Sequence, residues 1–488
     1  MPTDSLTIDE AATWITRSDL EWGTTTVTYS FPTSMPDDYS WADGFEAFNS
    51  DHQAAVELAF DLWSDVCGLT FVEAGPGEVG DIRFFAFDMV DEEGDPLPGA
   101  AYGNYPEEGC SVRFNTNASA FDNMAPGESG FETLLHEIGH ALGLSHPGNY
   151  DAGQGATYDD DAEYIQDSEQ YTLMSYFGAS NTGADFNGNS QLAPMLHDIA
   201  AVEQMYGDNP DTRDGNTTYG FNSNSDRIIH RFDETLEING DDVPIRDIPI
   251  FTIYDSGGTD TIDLSGYASD EAQRLDLNQM AFSDIGGMVN NISIARYTEI
   301  ENAVGGAGAD DLFGENGDDL LIGGAGGDVL NGGANTDTAS YADSNARVVI
   351  NLGLGYAASG HAAGDSFVSI ERVIGSAFND RIVADAGGNA LWGGAGNDEL
   401  TGGAGNDELF GEGGGDLFVF NAGDGDDEIG DFLVGADFLV LNGITIDSTS
   451  ELDGNGDAVM DTLAAFSSGD SVLLAGVTGI VDAGDLIA

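Results

Sequence analysis

Residues 136–146 read HEIGHALGLSH, with three histidines and a glutamate in one short run. In a helix each residue turns about 100°, so His136 and His140 stand roughly 40° apart on one face, one turn apart. That spacing points two imidazoles at one ion. Glu137 follows, placed to take a proton from water beside the ion. A continued helix would swing His146 off this face. Gly143 removes the conflict, because glycine adopts the left-handed conformation that ends a helix. The chain can then turn back and offer His146 as a third ligand. Three neutral imidazoles leave a position open on zinc, as a catalytic site requires. The spacing therefore predicts a helix, a turn and a metal centre, with His136, His140 and His146 as ligands and Glu137 as general base.

The flanks read as a mixed α/β domain. Ser129 and Glu132 form S-x-x-E ahead of the histidine helix and predict a capping box. Further upstream, residues 1–20 suggest a short helical leader, and TVTYSF from Thr26 alternates like a strand. Residues 46–66 place Val56, Phe60 and Trp63 on one helical face. LTFVEA and DIRFFAF read as strands, followed by a loop rich in Gly, Pro and acid. AAYGNYP (100–106) and SVRFN read as further strands. PMLHDIAAVEQMYG (194–207) reads as a helix that opens near Pro194 and closes at Gly207.

After residue 210 the texture turns β-rich, and from Gly305 a nine-residue repeat takes over. The units GGAGADDLF, GENGDDLLI, GGAGGDVLN and GGANTDTAS fill 305–340. After a strand-rich insert at 341–374 the period returns with GSAFNDRIV, the degenerate ADAGGNALW, GGAGNDELT, GGAGNDELF and GEGGGDLFV. Each unit follows G-G-x-G-x-D-x-U-x, a turn and then a short strand. Glycines such as Gly306 and Gly308 let carbonyls crowd a cation. The sixth-position acids Asp310, Asp319, Asp328, Asp337, Asp380, Asp398, Asp407 and Asp416 add carboxylates. Hard oxygen ligands of this kind suit calcium. Asn389 interrupts the series, so a weak or vacant site is expected there. Leu312, Leu321 and Leu330 form a core too thin to order so much glycine alone. The region should be largely disordered without calcium and a parallel β-roll with it, at a threshold of about 10⁻⁴ to 10⁻³ M.

Bulk properties limit the partners. The 488 residues allow two to four domains. There are 88 acidic residues against 12 basic ones, all arginine, for a net charge of -76. That field argues against nucleic acid and anionic membranes and points to cation binding, a saline habitat, or both. No apolar run approaches the roughly 20 residues of a membrane helix. The opening MPTDSLTIDE lacks the basic and apolar regions of a secretory signal peptide. Cys67 and Cys110 allow one disulfide or two free thiols.

The H-E-x-x-H-x-x-G-x-x-H motif resembles that of the metzincin metalloproteases. Within them, HPG after the third histidine, YTLMSYF (171–177), PMLHDIAAVEQMYG, YGFNSNSDR, FTIYDSGGTDTIDLSG and the nonapeptides are similar to the serralysins, in that family's order. The resemblance covers roughly residues 10–340 well and the remainder more loosely. The cysteines depart from the family's usual pattern.

The resemblance implies an α+β protein: a metzincin-type α/β zinc protease domain followed by an all-β, calcium-bound parallel β-roll. The implied divisions are a leader or short propeptide at 1–20, a catalytic domain at 21–210, a β-rich connecting region at 211–304, and a roll with a β insert and secretion signal at 305–488. It places Met174 beneath the zinc and makes Tyr176 an extra zinc ligand that leaves the metal and hydrogen-bonds the oxyanion. It makes AAYGNYP the edge strand that pairs with substrate. In RDGNT, Arg213, Gly215 and Thr217 would bind calcium together with Asp255, Gly257, Gly258 and Asp260, and Glu301 falls on a further ligand position. The terminal DLIA resembles a type I secretion signal. The implied function is a secreted, monomeric endopeptidase of broad specificity with one zinc and several calcium ions. Its partners would be protein or peptide substrates and the type I export apparatus. The alternative is a calcium-dependent adhesin or scaffold with an idle protease domain. The complete set His136, Glu137, His140, His146, Met174 and Tyr176 stands against it.

Overall fold

The computed structural model describes residues 2, 4–16, 20–90, 100–107, 109–150, 155–238, 240–452, 454–456, 460–480 and 483–487. The Gly-, Pro- and acid-rich loop at 91–99, leader residues 17–19 and Ala488 of DLIA lie outside them. The chain divides into two compact units, residues 1–260 with 279–299, and residues 261–278 with 300–488.

The first unit opens with α1 (Ile8–Ile15), β1 (Thr26–Ser30), β2 (Asp43–Glu46), α2 (Ser50–Asp65), β3 (Thr70–Glu73) and β4 (Ile82–Asp88). It continues with β5 (Ala101–Gly103), β6 (Cys110–Asn115), α3 (Ser119–Asp122), α4 (Ser129–Ala141), α5 (Tyr158–Asp161) and α6 (Leu196–Tyr206). The main sheet runs β3-β1-β4-β6-β5, and β2 pairs antiparallel with β4. All neighbours along that path are parallel except β5, which lies antiparallel to β6 at the edge. β4 is buried along nearly its whole length, as expected for a central strand covered on both faces.

Local chemistry sets the helix starts. Thr7 and Glu10 cap α1 reciprocally, with N–H donors answered at 3.3 and 2.9 Å. Asn49 Oδ1 accepts from the Asp51 and His52 N–H groups, so α2 begins at Ser50 rather than at residue 46. Val56, Phe60 and Trp63 face the core. The capping box expected at Ser129 and Glu132 does not form. Ser129 is already helical, Glu128 takes the N-cap position with no capping bond from its side chain, and the Glu132 carboxylate accepts the Ser190 hydroxyl at 2.5 Å. Both cysteines are buried free thiols, Cys67 donating to Trp63 O and Cys110 to Asn104 O. Burial pushes each thiol up to about 12.

The second unit is all β. Strands 18 residues apart in the repeats pair in parallel, Leu312 beside Leu330 and Leu321 beside Ala339. Val373 at the end of the insert aligns with Leu391 and Leu409 in one ladder, and Ile382, Leu400 and Phe418 align in another. These side chains are all fully buried. On one side of the roll the insert keeps the register, and on the other the Leu312–Leu330 ladder ends at Phe367 and a new one starts where Ile350 pairs with Ile382. Leu330 pairs directly with Phe367 and Ala339 with Val373, so the extra residues lengthen one coil of the roll. The α+β architecture with a terminal β-roll is thus as the sequence implied. No helix among the described residues is long and apolar enough to cross a membrane.

Each coil has one thin apolar layer, so each buried leucine matters. Leu330→Ala should lower the stability of the calcium-loaded protein by about 2–5 kcal/mol, read as a fall in the denaturant midpoint of the roll transition.

Candidate active site

α4 carries His136, Glu137 and His140, and its end is built to turn. The Leu144 N–H donates to Gly139 O at 2.9 Å and the Gly143 N–H to His140 O at 2.9 Å, the two bonds of a Schellman motif. Gly143 has φ +105°, and a Cβ there would lie 2.2 Å from Leu20 O. Glycine is therefore required twice, by conformation and by contact. The turn returns His146 to the helix face.

Each imidazole is aimed by a backbone carbonyl. Nδ1 of His136 meets Leu173 O at 2.7 Å, Nδ1 of His140 meets Leu144 O at 2.7 Å, and Nδ1 of His146 meets Tyr150 O at 2.9 Å. A carbonyl can only accept, so each ring carries its proton on Nδ1 and presents a bare Nε2. The Nε2 atoms converge, His140 to His146 at 3.1 Å and His146 to His136 at 3.3 Å. Ligands about 2.05 Å from a tetrahedral zinc lie about 3.3 Å apart. Facing lone pairs repel without a cation between them, so the donor set fits one zinc ion. Burial, and then His146, push His136 down to about 4, which keeps that ring neutral.

The Met-turn supports this centre. Met174 is fully buried, and a Cβ on Gly139 would lie 2.7 Å from its Sδ. Asp198 on α6 fixes the turn by accepting the Thr172 hydroxyl at 2.5 Å, the Leu173 N–H at 2.8 Å and the Met195 N–H at 2.9 Å. Leu173 in turn holds His136. Asp167 plays a similar part by accepting Tyr150 Oη and Ser175 Oγ, each at 2.7 Å. Neither aspartate was singled out in the sequence. Asp198 lies in the quoted helix motif, but two of its three partners, Thr172 and Leu173, are 26 and 25 residues away in the Met-turn.

Glu137 is buried beside the imidazoles. Its carboxylate accepts the Gly103 N–H of β5. Burial lifts this carboxyl to about 7, while the Gly103 bond and the charge of Arg113 pull the other way. Tyr176 is exposed, its ring 4.5 Å from that of His146 and 5.5 Å from that of His136. Between β5 and α4 lies an open cleft of about 560 Å³, lined by Tyr102, Gly103, Glu137, His140, His146 and Tyr176 among others. A Cβ on Gly103 would lie 2.4 Å from Glu137 O, so strand and helix touch through glycine.

The expected calcium residues fall in two places. In the first unit, Asp260 Oδ1 accepts the Thr217 N–H at 2.7 Å, and a Cβ on Gly258 would meet the Gly215 carbonyl group at 2.8 Å. Asp255 accepts the Gly257 N–H at 3.0 Å in the same turn, and Arg213 sits beside it with its guanidinium on Tyr254 O. Glu301 heads the first strand of the repeat region in the second unit, its carbonyl accepting from Leu320.

Within the roll the sixth-position acids form ladders. The backbone N–H of each donates to the carboxylate one coil on, as in Asp310 to Asp328 and Asp319 to Asp337, both at 2.9 Å. The same holds for Asp380 to Asp398 at 2.7 Å and Asp398 to Asp416 at 2.9 Å. Four acids outside the sixth positions of the repeats continue the ladders: Asp365 below Asp328, Glu371 below Asp337, Asp427 below Asp407 and Asp437 below Asp416. The sequence hid them because longer coils separate them from the nine-residue period. Gly306, at φ ordinary for any residue, gives its N–H to Asp310 Oδ2 at 2.7 Å, and Gly308 O crowds the position of a Cβ on Gly326 at 1.8 Å. Buried carboxylate oxygens of Asp319, Asp328, Asp337, Asp398 and Asp407 have no hydrogen-bond donor. Burial, with neighbouring carboxylates, raises Asp319 to about 7 and Asp328 to about 8. Unpaired buried oxygens in a cage of carbonyls fit calcium. Asn389 keeps its place in the ladder through Asp407 at 2.8 Å but brings no charge.

The fold and the histidine centre define a metzincin-type domain in front of a calcium-type β-roll. Comparison with known proteins agrees. Residues 21–174 match the matrixin family model, residues 208–351 the peptidase M10 serralysin C-terminal model, and stretches from 369 to 429 the RTX calcium-binding nonapeptide repeat. The chain is serralysin-like, with these regions in that order. It is 43% identical to Serralysin C of Dickeya chrysanthemi over 319 residues, covering 63% of this chain and 64% of the relative. It is 40% identical to Serralysin of Photorhabdus sp. (strain Az29) over 320 residues, covering 62% of each. With Serralysin of Photorhabdus luminescens it shares 39% identity over 325 residues, 63% of each. The chain thus spans less than two thirds of the length of these relatives.

Two outcomes are expected. Asp198→Ala removes the acceptor of three buried donors and should weaken zinc binding by about 10–100-fold without touching a ligand, measured by competition with a chromogenic chelator. Chelation of calcium from the full chain should abolish most of the roll's β signal in circular dichroism, and millimolar calcium should restore it.

Proposed function

We propose that the chain is a secreted zinc-dependent endopeptidase of broad specificity, with its roll folded and stabilised by calcium. The observation that carries this reading is the convergence of three carbonyl-oriented imidazoles beside a buried glutamate at the foot of an open edge strand. His136, His140 and His146 are the residues that would hold zinc, which supplies Lewis acidity and lowers the pKa of water toward about 7 when bound. Glu137 takes a proton from the attacking water and returns it to the leaving amine. The Gly103 N–H holds the Glu137 carboxylate in place for both transfers. Tyr176, stacked along the histidines at the cleft wall, gives a hydrogen bond to the oxyanion. β5 pairs with the peptide backbone, a mode that reads extended chains with little regard to sequence.

The acidic ladders and the paired turns at Arg213–Thr217 and Asp255–Asp260 are the proposed calcium sites, joined by Glu301. Calcium-dependent folding of the roll suits passage through a type I apparatus in an unfolded state, followed by folding outside the cell. Substrates are proteins and peptides, and the protein acts as a monomer. The division into leader, catalytic domain, connecting region and roll follows the sequence boundaries near residues 20, 210 and 304.

Glu137→Gln should retain stoichiometric zinc and lose casein hydrolysis by about 10²–10⁴-fold. Undiminished hydrolysis by the zinc-loaded variant would overturn the mechanism.

A further inference from the structure

Trp41 is 72% exposed, yet its ring is fixed edge-on to Phe87 at 5.9 Å and tilted against Tyr39 at 6.1 Å. Beside it lies a second pocket of about 290 Å³, walled by Trp41, Phe87, Met89, Val90 and Tyr102, with Arg113, Asp43 and Asp88 among the other lining residues. Tyr102 lines both this pocket and the catalytic cleft.

The hydrogen bonds of β5 say how a peptide would meet this pocket. The Asn115 N–H donates to Ala100 O at 2.9 Å, and the Asn104 N–H to Ser111 O at 3.0 Å. In an antiparallel pair these bonds recur at alternate residues, so Tyr102 directs its peptide groups to β6, while those of Ala101 and Gly103 face the open edge. The bond from the Gly103 N–H to Glu137 agrees with that direction. A strand added antiparallel to this edge therefore bonds to Ala101 and stands opposite Tyr102 in a non-hydrogen-bonded pair. Side chains approach most closely in such pairs and share one face of the sheet. One side chain of the added strand lies against Tyr102, toward Trp41.

We propose that the Trp41 pocket is a specificity subsite that takes one aromatic or long aliphatic side chain of a peptide paired with β5. This rests on the protease reading above. The walls are mainly apolar. The Arg113 guanidinium is engaged over the Tyr39 ring at 5.2 Å. The volume suits one large side chain. Broad backbone recognition is thereby combined with a preference at a single position.

The test is a positional-scanning library of fluorogenic peptides, cut by the zinc- and calcium-loaded full chain. One position should favour Phe, Trp or Leu over Ala by about tenfold or more in kcat/KM. Trp41→Ala should flatten that preference while the preferences at other positions persist. Trp41→Phe should restore most of it. A Trp41→Ala protein that keeps the preference overturns the subsite. So does an active wild type that shows no apolar preference at any position, and the protease reading then stands alone. A zinc-loaded wild type that cuts no peptide overturns the protease reading and the subsite together.

Discussion

The first unit is organised around one constraint: three imidazole nitrogens must face one point, and three backbone carbonyls make them do so. The carbonyls come from different segments. Leu144 belongs to the turn after α4, Tyr150 to the chain beyond it, and Leu173 to the Met-turn. The centre therefore rests on backbone geometry, which side-chain changes at the surface cannot easily disturb. Its Nε2 atoms, 3.1 and 3.3 Å apart, repel one another unless a cation lies between them. The free energy of binding zinc is thus partly folding free energy for these segments. Asp198 and Asp167 show how deep the support goes, since Asp198 accepts the Leu173 N–H and Asp167 the Tyr150 hydroxyl, and these two residues carry the carbonyls that aim His136 and His146.

The same electrostatic problem recurs in the roll with a different solution. Only four of the twelve arginines, Arg274, Arg347, Arg372 and Arg381, fall in the second unit. In the first unit arginine does the pairing. Arg213 and Arg227 meet Asp65 at 2.8 and 2.7 Å, and Arg296 ties Glu203 of α6 to Asp9 of α1. The ladder acids of the roll bury oxygens that no side-chain cation reaches within ion-pair distance among the described residues. Their compensation has to come from solution, which makes the roll's stability a function of free calcium by mass action.

How much was legible in the sequence follows from the range of the interactions. The histidine helix, its glycine turn and the nonapeptide strands are set by contacts within about one turn or one repeat, and those spacings are written in the chain. Leu312, Leu321 and Leu330 were legible for the same reason. Asp198 reaches the Met-turn across 25 and 26 residues and the Gly103 N–H reaches Glu137 across 34, while Asp167 bonds over irregular loop spacings of 8 and 17, so none left a local pattern. Asp365 and Glu371 hold ladder positions 37 and 34 residues from their partners, so the period that reveals the other acids passes them by. At Ser129 a local pattern misled. The S-x-x-E spacing was present, but Ser190, 58 residues away, engaged the Glu132 carboxylate. A capping box is worth only about 1 kcal/mol, and a tertiary hydrogen bond to a charged group can match it.

β5 joins these themes. It is three residues long, yet its Gly103 N–H holds Glu137 and its open edge offers the peptide groups of Ala101. On the protease reading, the strand that docks the substrate also orients the general base. A shift of β5 away from α4 would then weaken peptide pairing and misplace the carboxylate together. Only glycine allows that coupling, because any side chain at 103 would drive its Cβ into the Glu137 carbonyl. The close approach of strand and helix is thus a second place where the absence of a side chain is the functional feature, as it is at Gly143.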